Sequence, residues 1–323
     1  MRRCFIGLVV LLVGLLGCMS DGNQVSAVIL GPGHDYVWQL ATDHAAWPAE
    51  HFFKNLFSFQ DRLWLIDEHI GSWVSDDGTN WVSIKSPLPL EGVWLPMVVF
   101  GDELFAINSS NISGQTRVWG SEDGQAWSSI STNLNIGGDN VSGFRPVVFQ
   151  DQIWLIHGER EEIWTSSNGR QWSQLNIQLP WAPRFHYNIE VLNNRLWVIG
   201  GRISQDGQYR ALDDVWTSDD GINWAQTSAH SPWGTDRIFY ATAAYDGFIW
   251  LMGGYDQLGI PGRNDVWLSN DGVNWHRAPD ATWPARSAFN AVIFENHLVI
   301  LGGKTGADNF LNDVWMMKSD HHP

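Results

Sequence analysis

Three arginines occupy one repeated position of this chain. Its recurring apolar segments align on Phe59, Phe100, Phe149, Leu192, Tyr245 and Phe294. Eight residues earlier stand His51, Gly92, Val141, Arg184, Arg237 and Arg286. A guanidinium is a planar fork that grips carboxylates through two bonds, so clustered arginines beside a histidine point to an acidic ligand. Trp47, Trp181, Trp233 and Trp283 precede the same position by three or four residues. Exposed, they would stack on sugar rings or on partner side chains; buried, they would pack under the loops. The candidate binding set is therefore Arg184, Arg237, Arg286, His51, Trp181, Trp233 and Trp283, with Tyr255 in a long loop nearby. Four residues beyond the arginine position come Asn55, Arg145, Asn188 and Asn290, expected to line a water-holding channel. His186 and Tyr187 follow Arg184, and strand alternation lets one of them face a cleft.

Catalytic chemistry is harder to assemble. The two cysteines are Cys4 and Cys18, so the chain beyond them offers no thiol nucleophile and no Cys metal ligand. The eleven histidines are scattered, with His321 and His322 at the tail, and no metal or other cofactor is expected. There is no phosphate loop and no nucleophile elbow. Tyr187, Tyr240 or Tyr255 with Glu190 or Asp256 could be read as a nucleophile and an acid, but no spacing compels it. Glu190 reads as a paired acid. The formal charge of −16 repels phosphates and anionic headgroups, which disfavours nucleic acid and direct membrane contact.

The positioning elements repeat. A segment between two tryptophans eight residues apart recurs as Trp73–Trp81, Trp119–Trp127, Trp164–Trp172, Trp216–Trp224 and Trp267–Trp275, with the second Trp returning every 45 to 52 residues. That is the period of a propeller blade. Asp-Gly, or Asn168-Gly169 in the third copy, predicts a tight hairpin turn. Ser75, Ser121, Ser166, Ser218 and Ser269 are placed to bond the turn backbone. Six apolar runs, at Leu63, Leu104, Ile153, Leu196, Ile249 and Leu298, suit strands buried on both faces. The expected fold is all-β: a six-bladed propeller, four antiparallel strands per blade. The stretch 36–41 resembles an outer strand and is assigned to the last blade, closing the ring. One face then carries short uniform turns. The other carries long loops at 202–213, 255–263 and 304–312 opposite short ones at 68–71 and 158–161, the profile of a cleft.

Residues 1–17 read as an export signal: Arg2 and Arg3, then an apolar stretch, then Leu15-Leu16-Gly17-Cys18. This resembles the bacterial lipobox and implies lipidation of Cys18. Residues 18–27 would form a tether and 28–323 the propeller. The protein would be exported and lipid-anchored to the cell envelope, at the outer membrane or a periplasmic or extracellular face, touching membrane only through its anchor, as a monomer.

The blades resemble kelch repeats. Gly200-Gly201, Gly253-Gly254 and Gly302-Gly303 match the double glycine of that pattern. Asp214-Val215-Trp216, Asp265-Val266-Trp267 and Asp313-Val314-Trp315 match its third-strand start. Blades one to three depart, with Asp67-Glu68, Asn108-Ser109 and His157-Gly158 in place of the glycines. The S-x-D-G-x-x-W hairpin is also similar to the Asp-box of sialidase-type propellers, one residue short. Sialidases and a kelch-like sialic acid epimerase carry mouth arginines for acidic sugars. By the kelch pattern, an Arg at this point also implies bonds to carbonyls between blades. A galactose-oxidase-type copper site would need a Cys that the folded part lacks. The leading expectation is an envelope binding module for a glycan or a protein. The alternatives are an enzyme acting on acidic sugars and a structural scaffold.

Overall fold

The computed structural model describes residues 27–31, 34–49, 55–67, 71–84, 95–109, 116–136, 143–256, 262–306 and 309–319. The leader, Cys18, the tether up to Ser26 and His51 lie outside the described residues. All described regular structure is β. Six antiparallel sheets form the blades of a propeller. Their inner strands, Asn55–Phe59, Met97–Phe100, Phe144–Phe149, Asn188–Leu192, Ala241–Tyr245 and Asn290–Phe294, each abut the next around the axis. The last abuts the first, which closes the ring.

Closure is made by the first part of the chain. Strand His34–Thr42 pairs with Val314–Ser319 of blade six, with Trp38 opposite Met317 and Leu40 opposite Trp315. The stretch 36–41 is therefore the outer strand expected there. One strand was unforeseen: Ala27–Gly31 adds a fifth to this blade, pairing outside His34–Thr42. Ala27, assigned to the tether, begins it.

The turn chemistry explains the uniform face. In blade one, Ser75 Oγ accepts the Gly78 N–H at 2.9 Å, Asp77 Oδ1 accepts the N–H groups of Thr79 and Asn80, and Trp81 Nε1 donates to Gly78 O. The same bonds recur around Asp220 and Asp271. These aspartates serve their own turns. Backbone N–H bonds hold Asp220 down at about 2, although burial opposes them. The glycines are required twice over. Gly124, Gly221 and Gly272 have φ near +70°, and a Cβ on each would strike a second-strand Trp of the preceding blade: Trp64, Trp154 and Trp197. Each turn is thus packed against its neighbour, joining the blades at the rim. The core is divided among the blade interfaces, with second-strand residues such as Leu65, Leu155, Val198 and Leu251 fully buried.

Candidate functional site

The repeated arginines lie inside the walls. Arg184, Arg237 and Arg286 are buried, and each grips an aspartate of its own blade: Asp214 within the strand Gln208–Ser218, and Asp265 and Asp313 just before the strands Val266–Ser269 and Val314–Ser319. Arg184 Nη1 and Nη2 donate to Asp214 at 2.7 and 2.8 Å, those of Arg237 to Asp265 at 2.6 Å each, and those of Arg286 to Asp313 at 2.7 and 2.6 Å. Each Nη1 also donates to the first glycine of the double-glycine pair, Gly200, Gly253 or Gly302. The same carboxylates accept the indole N–H of Trp216, Trp267 and Trp315. The expectation that these arginines converge on a ligand is therefore corrected. Their donors serve struts that tie the incoming loop to the middle of the same blade, and the bonds stay within a blade.

The tryptophans are corrected for the same reason. Trp181, Trp233 and Trp283 are buried. Each meets edge-on a Trp of its blade's outer part: Trp181 with Trp224 at 4.8 Å between ring centres, Trp233 with Trp275 at 4.4 Å, Trp283 with Trp38 at 6.1 Å. Trp47 does the same with Trp81. They are wedges under the incoming loops. Tyr255 is half-buried, its backbone paired with Ile238, and it does not line the cavity described next.

That cavity sits at the mouth of the channel, with a volume of about 540 Å³. Asn55, Arg145, Asn188 and Asn290 line it, as the shared inner-strand position implies. His186, Phe239 and Ala288 also line it; they occupy equivalent places in blades four to six, and all three have φ near +55°. This left-handed backbone sits just past each strut arginine and turns the following residue, Tyr187, Tyr240 or Phe289, down into the interface with the preceding blade. Tyr187 donates its hydroxyl to Ile156 O of blade three, and Tyr240 donates to Ile199 O of blade four. Burial raises both phenols above their ordinary range. Lys304 of blade six completes the wall.

Among the described residues lining this cavity there is no carboxylate. The cations are Arg145 and Lys304. Arg145 donates Nε to Tyr187 O at 3.3 Å and lies against that ring. Burial first, then the charges of Arg202 and Arg145, push His186 down to about 4, so it is neutral near pH 7. Deeper in the channel Glu190, two residues past Asn188, accepts the Thr242 hydroxyl at 2.6 Å. Its burial raises the carboxyl to about 7, against the pull of that bond. Among the described residues no group of three or more His, Cys, Asp or Glu side chains could hold a metal ion.

Sequence reasoning missed Arg202 and its hairpin. The loop 202–213 is a standing β-ribbon, with Arg202 opposite Ala211 and Ser204 opposite Tyr209. Asp206-Gly207 between alternating residues was the available signal.

No protein-family model matches the chain. It is 30% identical to Kelch domain-containing protein 1 of Mus musculus over 174 residues, covering 50% of this chain and 40% of that protein. It is 31% identical to the flagellar outer arm dynein alpha chain of Chlamydomonas reinhardtii over 147 residues, covering 42% of this chain and 3% of that protein. The chain thus spans less than half the length of these curated relatives. The solved structure of YjhT is similar with a TM-score of 0.66 at 12% identity, covering 86% of this chain and 97% of that one. At that identity the likeness concerns the fold alone. Fold and matches together support a six-bladed propeller similar over half the chain to a kelch domain protein.

Proposed function

We propose that this propeller is a binding module of the cell envelope that takes the acidic end of a glycan into its mouth. One observation carries the reading. A protein of formal charge −16 presents, on its axis, a cavity lined by Arg145 and Lys304 and by no described carboxylate. Such a site concentrates anions and rejects cations. The amides of Asn55, Asn188 and Asn290 add groups that both donate and accept, as sugar hydroxyls do. The cavity is of the size usual for small-ligand sites. Envelope anchoring through Cys18 rests on the lipobox-like sequence.

The test is a glycan array probed with wild type, Arg145→Ala and Lys304→Ala. Acidic saccharides should bind wild type, and each variant should bind about tenfold more weakly, the cost of one charge-assisted contact. Binding of neutral glycans alone, or of a protein partner with no dependence on these residues, would refute the reading.

Glu190 favours a second reading, an enzyme acting on an acidic sugar. A carboxyl raised by burial to about 7, two residues along the strand from the cavity-lining Asn188, is suited to moving protons. Tyr187 and Tyr240 do not support a hydrolase nucleophile, because their hydroxyls are spent on backbone carbonyls. Turnover of an acidic sugar by wild type and its loss in Glu190→Gln would establish this reading over simple binding.

A further inference from the structure

The ribbon of blade four stands beside the mouth and holds a cation of a different kind from the struts. The Arg202 guanidinium carbon lies 4.6 Å from the ring centre of Phe185, 4.4 Å from that of Tyr209 and 5.5 Å from that of Phe239. Whereas Arg184, Arg237 and Arg286 each hold an aspartate, no carboxylate pairs with Arg202 among the described residues; its Nε is buried without a hydrogen-bond partner, as is that of Arg237. Ring faces stabilise a guanidinium, but they accept none of its in-plane N–H bonds. The arrangement is complete except for an anion in that plane.

This rim is continuous with the mouth. Phe239 lines the cavity and touches Arg202, and His186, also in the cavity wall, packs against Phe239 and Phe185. At the top of the ribbon Tyr209 is 58% exposed, one of the few large apolar side chains so placed among the described residues. An exposed aromatic ring beside a cation suits a pyranose, which has an apolar C–H face and, when acidic, a carboxylate at its edge.

We infer that the rim is a second subsite, in which Arg202 takes the carboxylate of a second sugar unit and Tyr209 stacks on its ring. The ligand class is then an acidic oligosaccharide of at least two units. This rests on the mouth reading above. A single acidic sugar would fill the cavity and leave the rim bare.

Calorimetric titration separates the two claims. The probes are galacturonate and digalacturonate, N-acetylneuraminate and its α2,8-linked dimer, and poly-glutamate as an acidic peptide. Wild type should bind at least one dimer about tenfold more tightly than its monomer, as one added charge-assisted contact gives. Arg202→Ala should erase that gain while leaving monomer affinity within about twofold, since the mouth contacts persist. Tyr209→Ser, at an exposed position, should reduce the gain and fold normally, which keeps the test open if Arg202→Ala does not fold. Equal affinity for monomer and dimer in wild type overturns the rim subsite and leaves the mouth reading standing. No binding of any acidic saccharide overturns both. Poly-glutamate binding with the same dependence on Arg202 overturns the saccharide class.

Discussion

Arg237 donates both terminal nitrogens to Asp265, at 2.6 Å each, with the guanidinium side chain 1% exposed. Burial alone would raise Asp265. The bonds and charge of Arg237, with the Trp267 indole, more than offset it and hold the carboxyl below its ordinary range. Arg237→Ala leaves that carboxylate buried and uncompensated, which should cost about 3–5 kcal/mol. Replacing both partners by apolar residues, Arg237→Met with Asp265→Leu, should cost less than the single change. Urea unfolding compares the three chains, and an unchanged midpoint in Arg237→Ala would dismiss the strut.

Two glycines with nearly the same backbone separate packing from conformation. Gly221 has φ of +72° and Gly207 has φ of +74°. A methyl at Gly221 would fall on the Trp154 ring, whereas at Gly207 it meets open space. Gly207→Ala should cost about 1 kcal/mol for its backbone alone. Gly221→Ala should cost about 2–4 kcal/mol, because a blade contact must also shift. Equal thermal shifts for the two would show that the Trp contact contributes nothing.

The clasp should govern the whole ring. Trp38 is fully buried and packs against Trp283. Trp38→Ala should cost about 3–5 kcal/mol. Removing residues 36–41 should lower the melting temperature and leave strand Val314–Ser319 as an open edge, prone to pair with other copies. Calorimetry with light scattering reads both effects, and a deletion variant that melts with the wild type would refute the clasp.

Glu190 gives a pH signature of known sign. Its carboxyl is raised from 4.5 to about 7 in the fold. Between those values the folded state keeps a proton that the unfolded chain has released. Stability from this group is therefore fully present below 4.5 and is lost as pH climbs through about 7. Glu190→Gln cannot titrate, so at pH 8 it should be more stable than wild type by about 3 kcal/mol. The difference should vanish below pH 4.5. Melting curves across that range check it, and a wild type that is more stable than the variant at pH 8 would contradict the assignment.

The blades are legible in the sequence because their signals are local. An Asp-Gly turn, a serine two or three residues before it and an unbroken apolar run act over a few positions. The channel residues Asn55, Arg145, Asn188 and Asn290 follow from the same register. The strut arginines do not, since Arg184 and Asp214 are 30 positions apart. Alignment puts Arg184 at the mouth's height, but the direction of its side chain depends on that distant partner. The Trp wedges fail likewise, because their burial depends on an incoming loop folding down over them. Arg202 was hidden in a stretch read as loop, where the alternation of its ribbon was overlooked.

The clasp also dictates when the protein can be finished. Asn312 bonds the backbone carbonyls of Ala45 and Trp47, and the first of these partners lies 267 positions away. Strand His34–Thr42 leaves the ribosome long before its partner Val314–Ser319. Until that partner is made, the hairpin of Ala27–Gly31 and His34–Thr42 has one strand edge with nothing to pair with. Assembly of so distant a contact is slow and passes through species that expose apolar edges. Loss of the strand Val314–Ser319 alone would leave that same edge of His34–Thr42 without its mate as well.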